Sequence, residues 1–381
     1  MRQANAFACT TCEKSYPLDT REWRCSCGGL FDFEHWPPFD PDRFKPAEPG
    51  LWRYRHLLPL EPDWQPVSLG EGHTPLVPMS WAGHPFRAKC ETVAPTGSFK
   101  DRGAATLVTA LRGLGITRAV EDSSGNAGAA LSAYAARAGI TCEICVPNTA
   151  GGPKVAQMAA HGAEVIEIKG RREYAALAAW AAAAHGAYYA SHVYNPFFLA
   201  GVETLAYELW EQLGRRAPDA LVLPVGNGTL LLGLYRGFRR IQRAGLIEDL
   251  PHLLAAQAAA CAPLYRRFHG GQAEGRPANC GPSVANGITI AQPERGQQIL
   301  DAVQASGGTV LQAAEDAIIA ARDGLARQGL YVEETSATAA AVLEAAADLL
   351  PTTDSCIVVL TGHGLKTGPH SREPGFQQGA S

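Results

Sequence analysis

Pro95-Thr96-Gly97-Ser98-Phe99-Lys100-Asp101-Arg102-Gly103 is the stretch from which the rest of the chain can be read. Its lysine follows a Gly-Ser turn and precedes a run of Ala, Thr and Leu that predicts a helix over 103–111. A lysine at a turn-to-helix junction sits at the positive end of the helix dipole. That field disfavours the ammonium and favours the neutral, nucleophilic amine. A lone lysine in a surface turn would carry no such meaning; the pattern downstream gives it one.

At 381 residues the chain is long enough for two lobes with their own cores. It is 46% hydrophobic and 18% charged, a globular composition. The formal net charge of −4 gives no electrostatic basis for binding nucleic acid or an anionic membrane. No apolar run reaches the roughly 18 residues that span a bilayer, and the first residues show no long apolar segment of a secretory signal. Ten cysteines are too sparse for a disulfide scaffold at this length, so the expectation is a cytoplasmic enzyme with reduced thiols.

Four of those cysteines lie near the start. Cys9-Thr-Thr-Cys12 is a knuckle that supplies half of a tetrahedral zinc site, and Cys25-Ser-Cys27-Gly-Gly would supply the other half with one residue fewer than Cys-x-x-Cys. Four thiolates would close the site and make it structural. Residues 1–35 are therefore read as a zinc-ribbon-like segment. Residues 36–70 form a tether rich in Pro and aromatics, which cannot hold long helices and is expected to lie on the core.

From residue 71 onward, strands and helices alternate. Strands are predicted at 85–90, 118–121, 141–146, 164–168, 254–258 and 355–360, and helices at 153–161, 172–185, 230–240, 293–305, 314–328 and 336–350. Such alternation implies parallel βαβ units in twisted sheets: an α/β fold in two lobes over 71–368, the smaller at about 104–205, with a loose tail at 369–381. Cys142 and Cys145 fall three apart on one strand, point to opposite faces and read as core.

Three polar loops stand at the ends of strands. Asp122-Ser123-Ser124-Gly125-Asn126-Ala127-Gly128 opens an Ala-rich helix and offers amides and hydroxyls that suit a substrate carboxylate. Gly226-Asn227-Gly228-Thr229 again joins strand to helix and could hold a phosphate, yet it has neither the dinucleotide fingerprint nor a Walker spacing, which disfavours NAD and ATP. The last strand runs into Thr361-Gly-His-Gly-Leu-Lys366, where open α/β sheets place ligand contacts.

Taken together and in this order, the lysine stretch and the three loops resemble the fold-type II (tryptophan synthase β-like) pyridoxal-phosphate enzymes, and within them the threonine synthases, over nearly the whole chain. The resemblance implies a pyridoxal-phosphate-dependent lyase. In it Lys100 is the Schiff-base lysine and proton carrier, and Asn126 bonds the cofactor's phenolic oxygen. Gly226, Asn227, Gly228 and Thr229 cup its phosphate, Thr361 faces its pyridine nitrogen, and Ser123, Ser124 and Gly125 hold the substrate carboxylate. It also implies a homodimer acting on a small amino acid. A hydroxyl facing the ring nitrogen need not keep the ring protonated, which suits elimination and replacement better than transamination.

The chain departs from threonine synthases where they read Ser-x-Asn-Pro-x-Arg and grip the phosphate of phosphohomoserine. Here the segment is Val193-Tyr-Asn195-Pro-Phe-Phe198, with Ala127 and Leu230 standing where Thr and Asn are usual. Losing the arginine removes a charge-assisted contact of roughly 1.5–3 kcal/mol. His192, Arg171 and Arg172 are the nearby cationic candidates to replace it. The expectation is β- or γ-elimination or replacement on another small L-amino acid. Threonine synthase proper, a serine or threonine dehydratase, and a non-catalytic cofactor-binding relative are the alternatives.

Overall fold

The structure, a computed structural model, describes residues 5–170, 172–270, 280–350 and 355–368. The tail at 369–381 and Arg171 lie outside them.

Strands β1 (Ala6–Cys9), β2 (Ser15–Pro17) and β3 (Phe31–Phe33) form an antiparallel ribbon in the order β2-β1-β3. Period-two alternation buries Phe7 and Cys9 on β1 and Phe31 and Phe33 on β3. Phe7 and Phe33 meet the Phe197 ring at centroid distances of 5.6 and 5.0 Å, which seats the ribbon on the main body. The Pro-rich segment forms only short 3-10 turns, Pro41–Arg43 and Gly50–Leu57, and buries Leu51, Trp52, Tyr54 and Leu57. These four side chains join the central core cluster.

In chain order the main body contains β4 (Leu76–Trp81), β5 (His84–Cys90), α1 (Lys100–Gly113), β6 (Arg118–Glu121), α2 (Asn126–Ala138), β7 (Thr141–Pro147), α3 (Pro153–Ala160), β8 (Glu164–Ile168), α4 (Arg172–Ala184) and β9 (Tyr188–Tyr189). It continues with α5 (Pro196–Gln212), β10 (Ala220–Pro224), α6 (Thr229–Arg243), β11 (His252–Ala258), α7 (Pro263–Phe268), α8 (Gly296–Ala305), β12 (Thr309–Ala313), α9 (Glu315–Arg327), α10 (Glu334–Ala341) and β13 (Cys356–Leu360). One sheet runs β12-β11-β10-β13-β5-β4, parallel except for β4; the other, β8-β7-β6-β9, is wholly parallel. Strands β10 and β13 are buried at every position, the continuous apolar run that a sheet covered on both faces requires. Cys142 joins the central core and Cys145 the cluster under α4 and β9, the opposite faces their spacing implies.

Several expectations are corrected. Helix α1 begins at Lys100 and not at residue 103, so the lysine is its first residue. Helix α10 spans Glu334–Ala341 and gives way to turns and a 3-10 segment, Ala347–Leu349, where the sequence predicts one helix over 336–350. Breaking the helix lets Val342, Leu343 and Ala346 all turn into one core cluster. Strands β4, β9 and β12 and helices α5 and α7 have no counterpart among the predicted elements. Helix α5 is buried from Pro196 to Trp210 and so shows no amphipathic stripe. Its one local signal is the cap: Asn195 Oδ1 accepts the Phe197 N–H at 3.0 Å, with Pro196 at the first helical position. Cys261 and Cys280 form a disulfide where free thiols are expected; spacing alone carries no pairing information. No described helix is long and apolar enough to cross a membrane.

Helices α1, α5 and α6 approach closely. A Cβ on Gly201 would lie 2.2 Å from the Arg102 carbonyl oxygen, and one on Gly233 would lie 2.6 Å from Val202 Cγ1. This packing holds the start of α1 against the start of α6, with β13 between β10 and β5.

Candidate active site

The lysine turn is fastened to the end of β13. The Phe99 N–H donates to the Thr361 carbonyl at 3.0 Å, and the His363 N–H donates to the Gly97 carbonyl at 2.9 Å. Gly97 takes φ +83, a conformation open to glycine, and reverses the chain here. From the first turn of α1 the Asp101 carboxylate reaches back and accepts from the Thr96 N–H at 2.7 Å and the Thr96 hydroxyl at 2.5 Å. Burial pushes the Asp101 carboxyl up to about 7, with the Thr96 hydrogen bonds opposing it.

Lys100 is thereby aimed at the start of α6, where its Nζ lies 3.4 Å from Thr229 Oγ1. Its amine is brought down to about 8, chiefly by burial and against the charges of Glu121 and Glu333. Lys100 does stand at the turn-to-helix junction, as the sequence places it, and burial is what lowers its amine. An amine adds to an aldehyde in its neutral form, so covalent capture of pyridoxal phosphate at Lys100 of the cofactor-free chain is expected to speed up as pH rises and level off above about 8. Stopped-flow absorbance at a series of pH values checks this; a rate flat from pH 6 to 9 would contradict it.

The three polar loops converge on the same cleft, about 600 Å3 in volume and lined by Lys100, Ser123, Ser124, Gly125, Asn126, Gly226, Asn227, Gly228, Thr229 and Thr361. Glu121 ends β6 and Asn126 begins α2, which has no side-chain cap, so its first amides are free to face the cleft. The turn before α6 ends at Gly228 with φ +81; a Cβ there would lie 2.2 Å from Ile299 Cδ1. Asn126 Nδ2 donates to Glu333 Oε1 at 2.6 Å, while Asn126 Oδ1 is buried without a partner among the described residues. Thr361 Oγ1 lies 3.0 Å from Ser336 Oγ, which also accepts the Gly362 N–H at 2.8 Å.

Sequence reasoning missed Ser336, Glu333 and Lys154. Lys154 Nζ pairs with Glu333 Oε2 at 2.5 Å, so a charge-neutral pair stands beside Asn126. Lys366, noted only as the end of a motif, turns inward and donates to the Thr96 carbonyl and Gln157 Oε1, both at 2.5 Å. Phe198 is buried between two site residues: its ring centroid is 5.8 Å from Lys100 Nζ and 5.9 Å from the His192 ring. A Cβ on Gly103 would lie 2.4 Å from Phe198, which makes Gly103 the seat of that ring. Val193 is buried too, and its carbonyl accepts from Arg295 Nε at 2.9 Å. Of the cations that might replace the absent arginine, His192 and Arg172 line the cleft.

Away from the cleft, the sulfurs of Cys9, Cys12, Cys25 and Cys27 all lie within 4.8 Å of one another. The shortened Cys25-Ser-Cys27 spacing therefore does not prevent convergence. Gly29 is required beside them, since a Cβ there would lie 2.5 Å from Cys9 Sγ.

A lysine on a helix start, a glycine-rich cup and a hydroxyl at a strand end agree with the family model that matches residues 67–362, described as pyridoxal-phosphate dependent enzyme. The chain belongs to that family. Proteins similar to it include the threonine synthase of Methanocaldococcus jannaschii, 33% identical over 373 residues that cover 94% of this chain and 92% of that protein. The threonine synthase of Mycobacterium tuberculosis is 38% identical over 323 residues, 82% of this chain and 87% of the relative. Among solved structures, a threonine deaminase from T.th. superposes with a TM-score of 0.67 at 26% identity, covering 78% of this chain and 94% of that one. The fold is that of the fold-type II pyridoxal-phosphate enzymes, and the chain is a pyridoxal-phosphate-dependent lyase.

The residues present fit that cofactor. Asn126 Oδ1 has no partner among the described residues, the Gly226–Thr229 turn is shaped by glycines, and a half-buried amine of lowered affinity for protons stands against it.

Proposed function

We propose that this lyase eliminates or replaces a small leaving group on the side chain of a small L-amino acid, and that phosphohomoserine is a poor substrate. The observation that carries the reading is Phe198, buried beside Lys100 where the resemblance has a phosphate-binding arginine. An apolar ring there offers a dianion nothing, and Val193 adds no hydroxyl. The other lysines at the cleft are already engaged, Lys154 by Glu333 and Lys366 by Thr96 and Gln157.

Pyridoxal phosphate, when bound, supplies the electron sink that labilises the bonds at Cα. The chain's own residues supply position and protons. The Gly226–Thr229 turn and the start of α6 would take the cofactor phosphate; Thr361, supported by Ser336, would face the ring nitrogen as a neutral hydroxyl. Asn126 would hold the phenolic oxygen. Ser123, Ser124 and Gly125 would receive the substrate carboxylate at the uncapped start of α2. Lys100 Nζ, once free of the cofactor, is the base that takes the Cα proton, and its low proton affinity suits that task near neutral pH.

The test is product formation with saturating cofactor. L-Serine or L-threonine should yield the 2-oxo acid and ammonia, while O-phospho-L-homoserine should release little phosphate. Efficient conversion of phosphohomoserine to threonine would overturn the substrate argument and make the chain a threonine synthase, as its curated relatives are named.

The cysteine cluster would hold one structural zinc ion through four thiolates, with no open position for chemistry. Elemental analysis should find about one zinc per chain, and chelation should loosen the ribbon while cofactor absorbance persists. No zinc in protein purified without chelators would refute this. A homodimer located in the cytoplasm completes the proposal, and sedimentation equilibrium decides the oligomeric state.

A further inference from the structure

The cleft wall contains a buried acid–imidazole pair that the mechanism above does not use. Glu121 is the last residue of β6 and 1% exposed. Its Oε1 lies 2.5 Å from His192 Nδ1 and accepts the His192 backbone N–H at 3.2 Å. The His192 side chain, 11% exposed, lines the cleft with its ring against Phe198, whose other neighbour is the Lys100 amine. Among the described residues nothing hydrogen-bonds Nε2. One ring nitrogen is thus tied down and the other is left for a molecule in the cleft.

The charged groups facing the pair are Lys100, Arg172 and, toward His192, Asp122. Burial pushes the Glu121 carboxyl up to about 8, and burial together with the Lys100 charge holds the His192 imidazole well below its ordinary range. Both directions favour the uncharged form of each group, and the 2.5 Å contact fits a Glu121 O–H donating to Nδ1 with the imidazole proton on Nε2.

We propose that His192 is a second catalytic residue, the acid that protonates the departing side-chain group, and that Glu121 positions and recharges it. The proposal rests on the elimination reading above and narrows its substrate class to amino acids with a basic leaving group, such as a hydroxyl. As the C–O bond breaks, the oxygen takes the bonding pair and the Nε2 proton. The Glu121 proton moves to Nδ1, leaving a carboxylate and a neutral imidazole in its other tautomer. Lys100 has taken the Cα proton, and the electron pair of the Cα–H bond ends in the new carbon–carbon double bond. Lys100 then loses a proton to water and the pair regains one. A phosphate leaves as a stable anion and needs a cation instead of an acid. The loss of arginine at position 198 and the presence of this pair therefore point to one kind of substrate.

Two measurements test the proposal. In the cofactor-free chain, long-range 15N NMR of labelled imidazoles should show His192 as the Nε2–H tautomer, uncharged from pH 5.5 to 7, below the range in which Glu121 ionises. A His192 that titrates near 6.5, or that carries its proton on Nδ1, overturns it. In the holoenzyme, L-serine and β-chloro-L-alanine are compared, since chloride departs without a proton. His192→Asn should lower kcat for serine by about 100-fold or more and leave the chloride-releasing reaction near wild type. Glu121→Gln, which can still bond Nδ1 but has no proton to pass on, should lower kcat for serine with KM unchanged. Equal losses on both probes overturn the assignment. A wild-type enzyme inert to both probes would sink the elimination reading instead, and the tautomer result still decides the pair.

Discussion

Lys100→Ala is expected to leave a folded chain whose turnover has fallen by on the order of a thousandfold or more, since it removes the residue proposed as both nucleophile and base. The fold should survive. The amine's hydrogen-bond partner among the described residues is Thr229 Oγ1, and alanine is well suited to the first turn of a helix. After borohydride reduction, peptide mapping should find pyridoxal phosphate on the peptide containing Lys100 in the wild type and on no peptide in the variant. Retained turnover would exclude Lys100 as the base. A wild type that acquires no visible absorbance with added cofactor would remove the chemistry assigned to the whole cleft.

Arg102→Met is expected to have the largest effect on stability. Two residues after the lysine, Arg102 is fully buried and answers two carboxylates at once. Its Nε and Nη2 meet the Glu91 oxygens at 2.8 and 2.7 Å, and its Nη1 and Nη2 meet those of Glu208 at 2.8 and 3.0 Å. Lys89 Nζ, also fully buried, lies 2.5 Å from Glu208 Oε1. The four groups balance in charge. Removing Arg102 leaves two buried carboxylates with one cation, and breaking a buried pair in this way costs about 3–5 kcal/mol. Urea unfolding of the cofactor-free protein measures it; a loss below about 1 kcal/mol, the scale of a surface pair, would show the network to be dispensable.

The pH dependence of that loss follows from Glu208. Burial alone would raise its carboxyl, but the charges of Arg102 and Lys89 outweigh burial and hold it well below the usual carboxylate range. The amine of Lys89 is nevertheless pulled down, chiefly by burial. The two directions agree on an ionised Glu208, which is the acceptor for both cations. A depressed carboxyl contributes stability that is present above the unfolded value, near 4.3, and fades as pH falls through the folded one. The gap between wild type and Arg102→Met should therefore shrink below pH about 4.

The place of Arg102 shows how far the sequence could be read. Pro95–Gly103 was legible as a reactive turn because its signals are local: a Gly-Ser reversal, a lysine and a helix-forming run. Its neighbour Arg102 looked like part of the same motif, yet its partners are residues 91 and 208, and the second lies on α5, a helix with no apolar stripe to betray it. The same holds at the cleft. Asn126, Thr229 and Thr361 were visible at strand ends, whereas Ser336 and Glu333 stood in an unremarkable run before an Ala-rich helix. They belong to the site only because the chain returns there, 25 residues before Thr361 and 207 after Asn126.

The sequence by itself determined a parallel α/β body, the lysine, and the three loops gathered around it, because hydrophobic periodicity, glycine turns and strand-end polarity all act over a few residues. It also set Val193 and Phe198 where the resemblance to threonine synthases has a serine and an arginine. Only the tertiary structure decided what stands in its place: a Phe198 ring seated on Gly103, and a Glu121–His192 pair whose members lie 71 residues apart. Burial sets the protonation of that pair and of Lys100, and burial is a property of the packed core that no short stretch of sequence carries.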